Sequence, residues 1–194
     1  MKIGKACALL VLGIVTEVAA ATFPSVVNVG DASLTRVAEA RYSVLWKRIT
    51  DVALYVDPAQ ALPENGDILD PAYSKYLTIE YGMSVSAERF EKMSRELLAK
   101  NWPAQVLADN LEGIDIFCGW LQAVEKGDRY AIYWHSEKGL SLALNGEVQG
   151  SLPSKEASAI VLSLWLGRAA VSESQRDELL NSWRAGMQGI AAWR

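Results

Sequence analysis

Asn145-Gly146 constrains this chain more than any other pair of residues. Both central positions of a type I′ turn need positive φ, which asparagine and glycine tolerate, and such a turn folds its flanking strands back on each other. Apolar-rich runs stand on both sides, so residues 142–180 read as a hairpin, a helix and a second helix. Ser154 is placed to cap the first of these helices, and Ser172 with Gln175 has the spacing of a capping box for the second. The apolar cluster Ile160, Val161, Leu164, Trp165 and Leu166 marks the buried stripe between them. Trp165 shares a helical face with Ala157 and is expected in the core, packed against a sheet.

The rest of the chain alternates between sheet and helix without the rhythm of a parallel sheet. Residues 37–56 read as two strands or one long bent ribbon, interrupted by the charge around Trp46-Lys47-Arg48. Residues 57–74 carry three prolines and the sequence PENGD, a long loop. In residues 76–85, Tyr76, Thr78 and Glu80 alternate with Leu77, Ile79 and Tyr81, as a half-buried strand requires. Ser86 can cap a helix to about Lys100, with Phe90, Met93, Leu97 and Leu98 on one face, and Trp102-Pro103 ends it. A second helix is expected over 104–124, weakened by Gly113 and Gly119. Strands follow at 130–134 and 140–144, separated from that helix by the turn Lys126-Gly127-Asp128, and residues 185–194 read as a loose helical tail. The layout is α+β.

A chain of 194 residues accommodates one domain with a substantial core. Residues 1–21 have the form of an export signal: Lys2 and Lys5 at the start, an apolar run over 6–15, and Ala19-Ala20-Ala21 before the cut. A membrane anchor is the alternative, but the apolar run is short for a hydrocarbon layer ~30 Å thick, and Glu17 interrupts it. The expectation is therefore one domain over 22–194, periplasmic or secreted, with no stable membrane insertion after cleavage. Losing Lys2, Lys5 and Glu17 moves the formal net charge from −4 to −5. Without a basic stripe, nucleic acid is not an expected partner. Cleavage also removes Cys7 and leaves Cys118 alone, so no internal disulfide can form, and Cys118 is expected to be buried packing.

Catalytic signatures are sparse. His135 is the only histidine, so a histidine cluster for a metal cannot form, and no loop has a calcium-binding spacing. Asp109, Glu112 and Asp115 recur at intervals of three as a solvated helix face would. No P-loop, nucleophile elbow or dinucleotide fingerprint occurs, and no cofactor is expected. His135 beside Ser136 does not make a catalytic pair, because adjacent strand residues point to opposite faces. Seven tryptophans stand out. They either fill the layer between sheet and helices or line an apolar cavity for a flat or long-chain ligand.

Several runs together carry a resemblance. They are Arg41, the run Arg48-Ile49-Thr50-Asp51-Val52-Ala53-Leu54-Tyr55, the strand Leu77-Thr78-Ile79-Glu80-Tyr81, and Lys126-Gly127-Asp128. The closing segment adds Asn145-Gly146, Trp165-Leu166-Gly167 and Ser172 followed by Arg176, Leu179 and Leu180. Over roughly residues 34–180 the chain resembles bacterial chalcone-isomerase-like proteins. The resemblance implies an open-faced β-sandwich, a large antiparallel sheet with helices on one side and a cleft between them. The family includes chalcone-cyclising plant enzymes, fatty-acid-binding relatives and members without isomerase activity.

In the enzymes an arginine stabilises the developing enolate, and a threonine and a tyrosine order a water or polarise the substrate carbonyl. By position Thr50 matches the threonine, Arg41 matches the arginine if the intervening hairpin is shorter, and Phe90 stands at the tyrosine. Leu164 falls at another polar position of the plant site. Losing a transition-state donor of this kind typically costs about 3 kcal/mol. The resemblance therefore implies a pocket more apolar than an isomerase's, with no catalytic residues assigned. Arg41, Thr50, Phe90 and Leu164 are the ligand-binding candidates for a small apolar or carboxylate-tipped ligand, with Arg41 the partner for a carboxylate head group. Arg41 can also be read as a surface arginine paired with Glu39 or Glu80. Three functions remain open: a non-catalytic binder of a small amphipathic ligand such as a fatty acid, an intramolecular lyase or isomerase acting on a phenolic ketone, and a ligand-free structural or interaction protein of the cell envelope. The oligomeric state is not legible.

Overall fold

A computed structural model describes residues 23–192. The expected export signal at 1–21 and Trp193 lie outside the described residues. Among these residues seven strands form one antiparallel sheet whose spatial order is the chain order. They are β1 (Val26–Val29), β2 (Ala32–Val44), β3 (Lys47–Val56), β4 (Lys75–Tyr81), β5 (Arg129–His135), β6 (Gly139–Leu144) and β7 (Glu147–Leu152). Among the described residues five helices complete the fold: α1 (Ala87–Asn101), α2 (Ala104–Asp109), α3 (Leu111–Gly119), α4 (Lys155–Leu166) and α5 (Glu173–Ala192).

The hairpin at Asn145-Gly146 forms as its chemistry requires, with φ of 51° and 88° at the two turn residues. Alternation along each strand then sorts the side chains. Val52, Leu54, Leu77, Ile79, Tyr130, Ile132 and Trp134 enter the main core beneath the helices. Ala53 and Tyr55 point to the other face, where Phe23 and Leu34 join them in a small second cluster. On the helix side, α5 lies on β2 and β3, α4 on β6 and β7, and α1 and α3 pack on α4. The sheet thus carries its helices on one side, in an α+β arrangement. Among the described residues no helix is long and apolar enough to cross a membrane.

Ser86 caps α1 by accepting from the Arg89 N–H, and Ser154 caps α4 by accepting from Ala157. Ser172 likewise accepts from the Gln175 N–H at 3.2 Å, but Gln175 does not close the box. Its amide reaches the sheet instead, donating to the Ala40 carbonyl at 3.1 Å and tying α5 to β2.

Three expectations change. The helix expected over 104–124 is two helices that meet at Asn110 and end at Gly119. Gly113 serves the crossing of α3 over α4, since a Cβ there would stand 2.5 Å from that of Ala157. The tail over 185–194 is not loose through Ala192, because α5 continues to that residue. Trp165 is not in the core: it is half-buried, edge-on to Phe117 with ring centroids 6.3 Å apart. Neighbouring α4 residues are buried nearly all round, between sheet and outer helices, so the apolar cluster did not define a single face. The tryptophans divide accordingly. Trp134 and Trp183 are core residues, Trp102, Trp120 and Trp165 are half-buried, and Trp46 is 91% exposed at the β2–β3 turn.

Candidate ligand cavity

Where β3, β4 and β5 pass under α1, the sheet and helices do not close completely. A cavity of about 330 Å³ remains, inside the range of ~300–1,000 Å³ usual for small-molecule sites. Thr50, Tyr81 and Tyr130 rise from the sheet, and Phe90, Met93 and Leu97 descend from α1. Leu164 and Trp165 of α4 and Gln175 of α5 complete the enclosure.

An aromatic group holds this wall in shape. The rings of Tyr81 and Phe90 meet edge to face at 5.2 Å, and each lies 6.0 Å from Tyr130 in a similar arrangement. Aromatic pairs prefer this geometry because a positive ring edge meets a negative ring face. The Tyr130 hydroxyl accepts from the Gln122 N–H at 2.7 Å and donates to the Gln122 carbonyl at 3.1 Å. Burial pushes the Tyr81 and Tyr130 hydroxyls above the ordinary phenol value, so both keep their protons at neutral pH. Thr50 borders the cavity with its hydroxyl against Gln175, 3.4 Å from Nε2.

Thr50, Phe90 and Leu164 therefore share one cavity. Arg41 does not join them. Thr50 pairs with Tyr42 across β2 and β3, whereas Arg41 pairs with Asp51, one residue along and so on the opposite face. There Arg41 clamps Asp51 with two hydrogen bonds, Nε to Oδ1 at 2.6 Å and Nη2 to Oδ2 at 3.2 Å. Arg48 bridges Asp51 at 2.7 Å and Glu80 at 2.8 Å, and Arg129 holds Glu80 from the other side at 2.5 Å. Neither partner expected for Arg41 is its partner: Glu39 pairs with Arg36, and Glu80 with Arg48 and Arg129. The alternation of Ala38 and Ala40 with Glu39 and Arg41 already carried the information that Arg41 faces away from the core.

The cation at the cavity is Arg89, exposed at the rim in the first turn of α1. Among the described residues its guanidinium makes no hydrogen bond or ion pair. Nothing in the sequence distinguished it from the other charges of that helix. Asp109, Glu112 and Asp115 are exposed, with Asp115 accepting from Arg95 at 2.7 Å. No group of three or more His, Cys, Asp or Glu among the described residues is placed to hold a metal ion. His135 lies on the outer face of β5 beside Tyr133, away from the cavity. Cys118 is buried, and burial pushes its thiol up, so it is packing material.

A family model described as chalcone isomerase-like matches residues 15–181. The chain belongs to the chalcone isomerase-like family. The chalcone isomerase-like fold is also that of a crystallised fatty-acid binding protein from Arabidopsis thaliana. The two structures superpose with a TM-score of 0.59 at 14% identity, over 86% of this chain and 94% of that one. No curated protein is similar enough in sequence to match it.

Proposed function

We propose that this chalcone isomerase-like protein is a non-catalytic carrier that encloses a small apolar or amphipathic ligand, such as a fatty acid of short or medium length. The observation that carries the reading is the cavity itself, apolar in most of its wall and framed by an aromatic group. Phe90 and Leu164 present hydrocarbon where an isomerase places polar groups, and Arg41 lies across the sheet from the enclosed space. A developing enolate would meet no buried cation there, whereas catalysis of this kind needs donors and charge aimed at the oxyanion. The similarly folded Arabidopsis protein is a fatty-acid binding protein, which favours the same assignment.

Arg89, in place of Arg41, is the residue set to receive an acidic head group at the rim. Displacement of a fluorescent acyl probe by decanoate, with native mass spectrometry of the gently purified protein, tests the proposal. The expected result is one ligand per chain and loss of binding in Leu164→Trp, which fills the cavity. No displacement and no bound mass would overturn it. Arg89→Ala should weaken decanoate by about 0.2–1 kcal/mol, the worth of an exposed pair. That loss should shrink as salt is raised. The carrier works outside the cytoplasm in this proposal, released by cleavage after residues 19–21. N-terminal sequencing of the envelope fraction is expected to start near Ala21 or Thr22, and a start at Met1 would contradict it.

A further inference from the structure

Two hydroxyls on the cavity wall have no partner among the described residues. Tyr81, at the end of β4, is 5% exposed and Ser94, on α1, is 6% exposed, and both line the cavity. Among the described residues neither side chain makes a hydrogen bond. No fully enclosed side-chain oxygen or nitrogen among them lacks a partner, so these two hydroxyls open onto the cavity and not into packed protein. Thr50 and Tyr130 differ, since Gln175 and Gln122 occupy them. A hydrocarbon chain lying against two unpaired hydroxyls would strip them of water and return nothing, which is costly in an apolar enclosure.

We propose that the cavity selects ligands bearing a neutral oxygen, a hydroxyl or keto group, that bonds to Tyr81 and Ser94, in preference to saturated chains of the same length. The inference rests on the carrier reading and sharpens its ligand class. A neutral group is specified because Arg89 stays at the rim. A carboxylate between two hydroxyls would be buried without a counter-charge. Burial keeps Tyr81 protonated, so it donates, while Ser94 can donate or accept. Tyr81 lies edge-on to Phe90, so the strand offers a phenol donor beside a helix residue that offers none.

The test compares decanoate with decanoates hydroxylated near the head, in mid-chain and at the tail. Dissociation constants are measured by probe displacement for the unaltered protein, Tyr81→Phe and Tyr81→Phe with Ser94→Ala. At least one hydroxylated acid should bind about five-fold more tightly than decanoate, the net effect of roughly one hydrogen bond. Tyr81→Phe should remove that preference, and the double variant should favour decanoate. Taking the ratio of two ligands within one variant cancels any general loss of stability, and phenylalanine preserves the ring packing. If no hydroxylated acid is preferred, or the ratio survives in the double variant, this inference fails while the carrier reading stands. If no acid displaces the probe, both fail.

Discussion

At the scale of single residues, the outer face of the sheet is organised by charge. Asp51 and Glu80 are cross-strand neighbours, and Arg48 sits between them as the bridge that makes two adjacent carboxylates tolerable. Desolvation pushes both acids up. The hydrogen bonds and charges of Arg41 and Arg48 on Asp51, and of Arg48 and Arg129 on Glu80, outweigh it and hold both below their ordinary values. Their stabilisation is present above the unfolded-state values and is lost as pH falls through the folded-state ones. The two arginines on Asp51 are unequal. Arg41 is 62% exposed against 3% for the Asp51 side chain, so Arg41→Ala should cost only about 0.2–1 kcal/mol. Arg48→Ala leaves two buried carboxylates side by side and should cost on the order of 3 kcal/mol. Urea melts of the two variants at neutral pH check the order, and equal midpoints would refute it.

At the scale of elements, the loop between β3 and β4 is held by a buried lysine. Lys75 opens β4 on the core side, and its Nζ donates to the carbonyls of Ile68 at 2.5 Å and Asp70 at 3.0 Å. Burial, against the pull of Asp67 and Asp70, pushes this ammonium down to about 7. A neutral amine still has two N–H groups, enough for both carbonyls. Because the unfolded chain binds this proton more tightly, stability should rise with pH from about 7 towards 10. Above that the sign reverses. Desolvation raises Tyr55 to about 12, and Tyr73 and Tyr130 are raised too, so the folded state holds protons that the unfolded state releases. Thermal melts across pH 6–11 should pass through a maximum on the alkaline side, and Lys75→Met should flatten the rise. The sequence offered no hint of this lysine, because its burial depends on how a long loop folds back over the core. The capping serines, the Asn145-Gly146 hairpin and the alternation in β4 were legible, since each is a local chemical requirement. The split at Asn110 and the half-exposure of Trp165 depend on how α3 crosses α4, which no local pattern records. Thr50, Phe90 and Leu164 were singled out through the family pattern and share the cavity, while Tyr81, Ser94 and Arg89 meet at it only once β4 and α1 face each other.

At the scale of the whole molecule, the chemistry available in the cavity is narrow. The buried hydroxyls stay protonated at neutral pH, and among the described residues the one guanidinium of the wall stands at its rim. No cyclisation of a 2′-hydroxychalcone above the uncatalysed rate is expected, and Phe90→Tyr alone should not introduce it, since one restored donor does not make a preorganised site. A spectrophotometric assay settles the point, and turnover by the unaltered protein would contradict it. The order of assembly follows from the sheet. Each strand pairs with its neighbour in the chain, so the sheet can grow one strand at a time. The longest return is that of α5, which comes back over more than a hundred residues to lie on β2. Closing so long a loop is entropically costly and brings no reward until both partners are in place. Gln175 arrives with α5, so the cavity is complete only when this long-range contact forms. A ligand that needs the finished cavity cannot hasten folding. It should leave the refolding rate unchanged and slow unfolding, so that a bound molecule prolongs the life of the folded state.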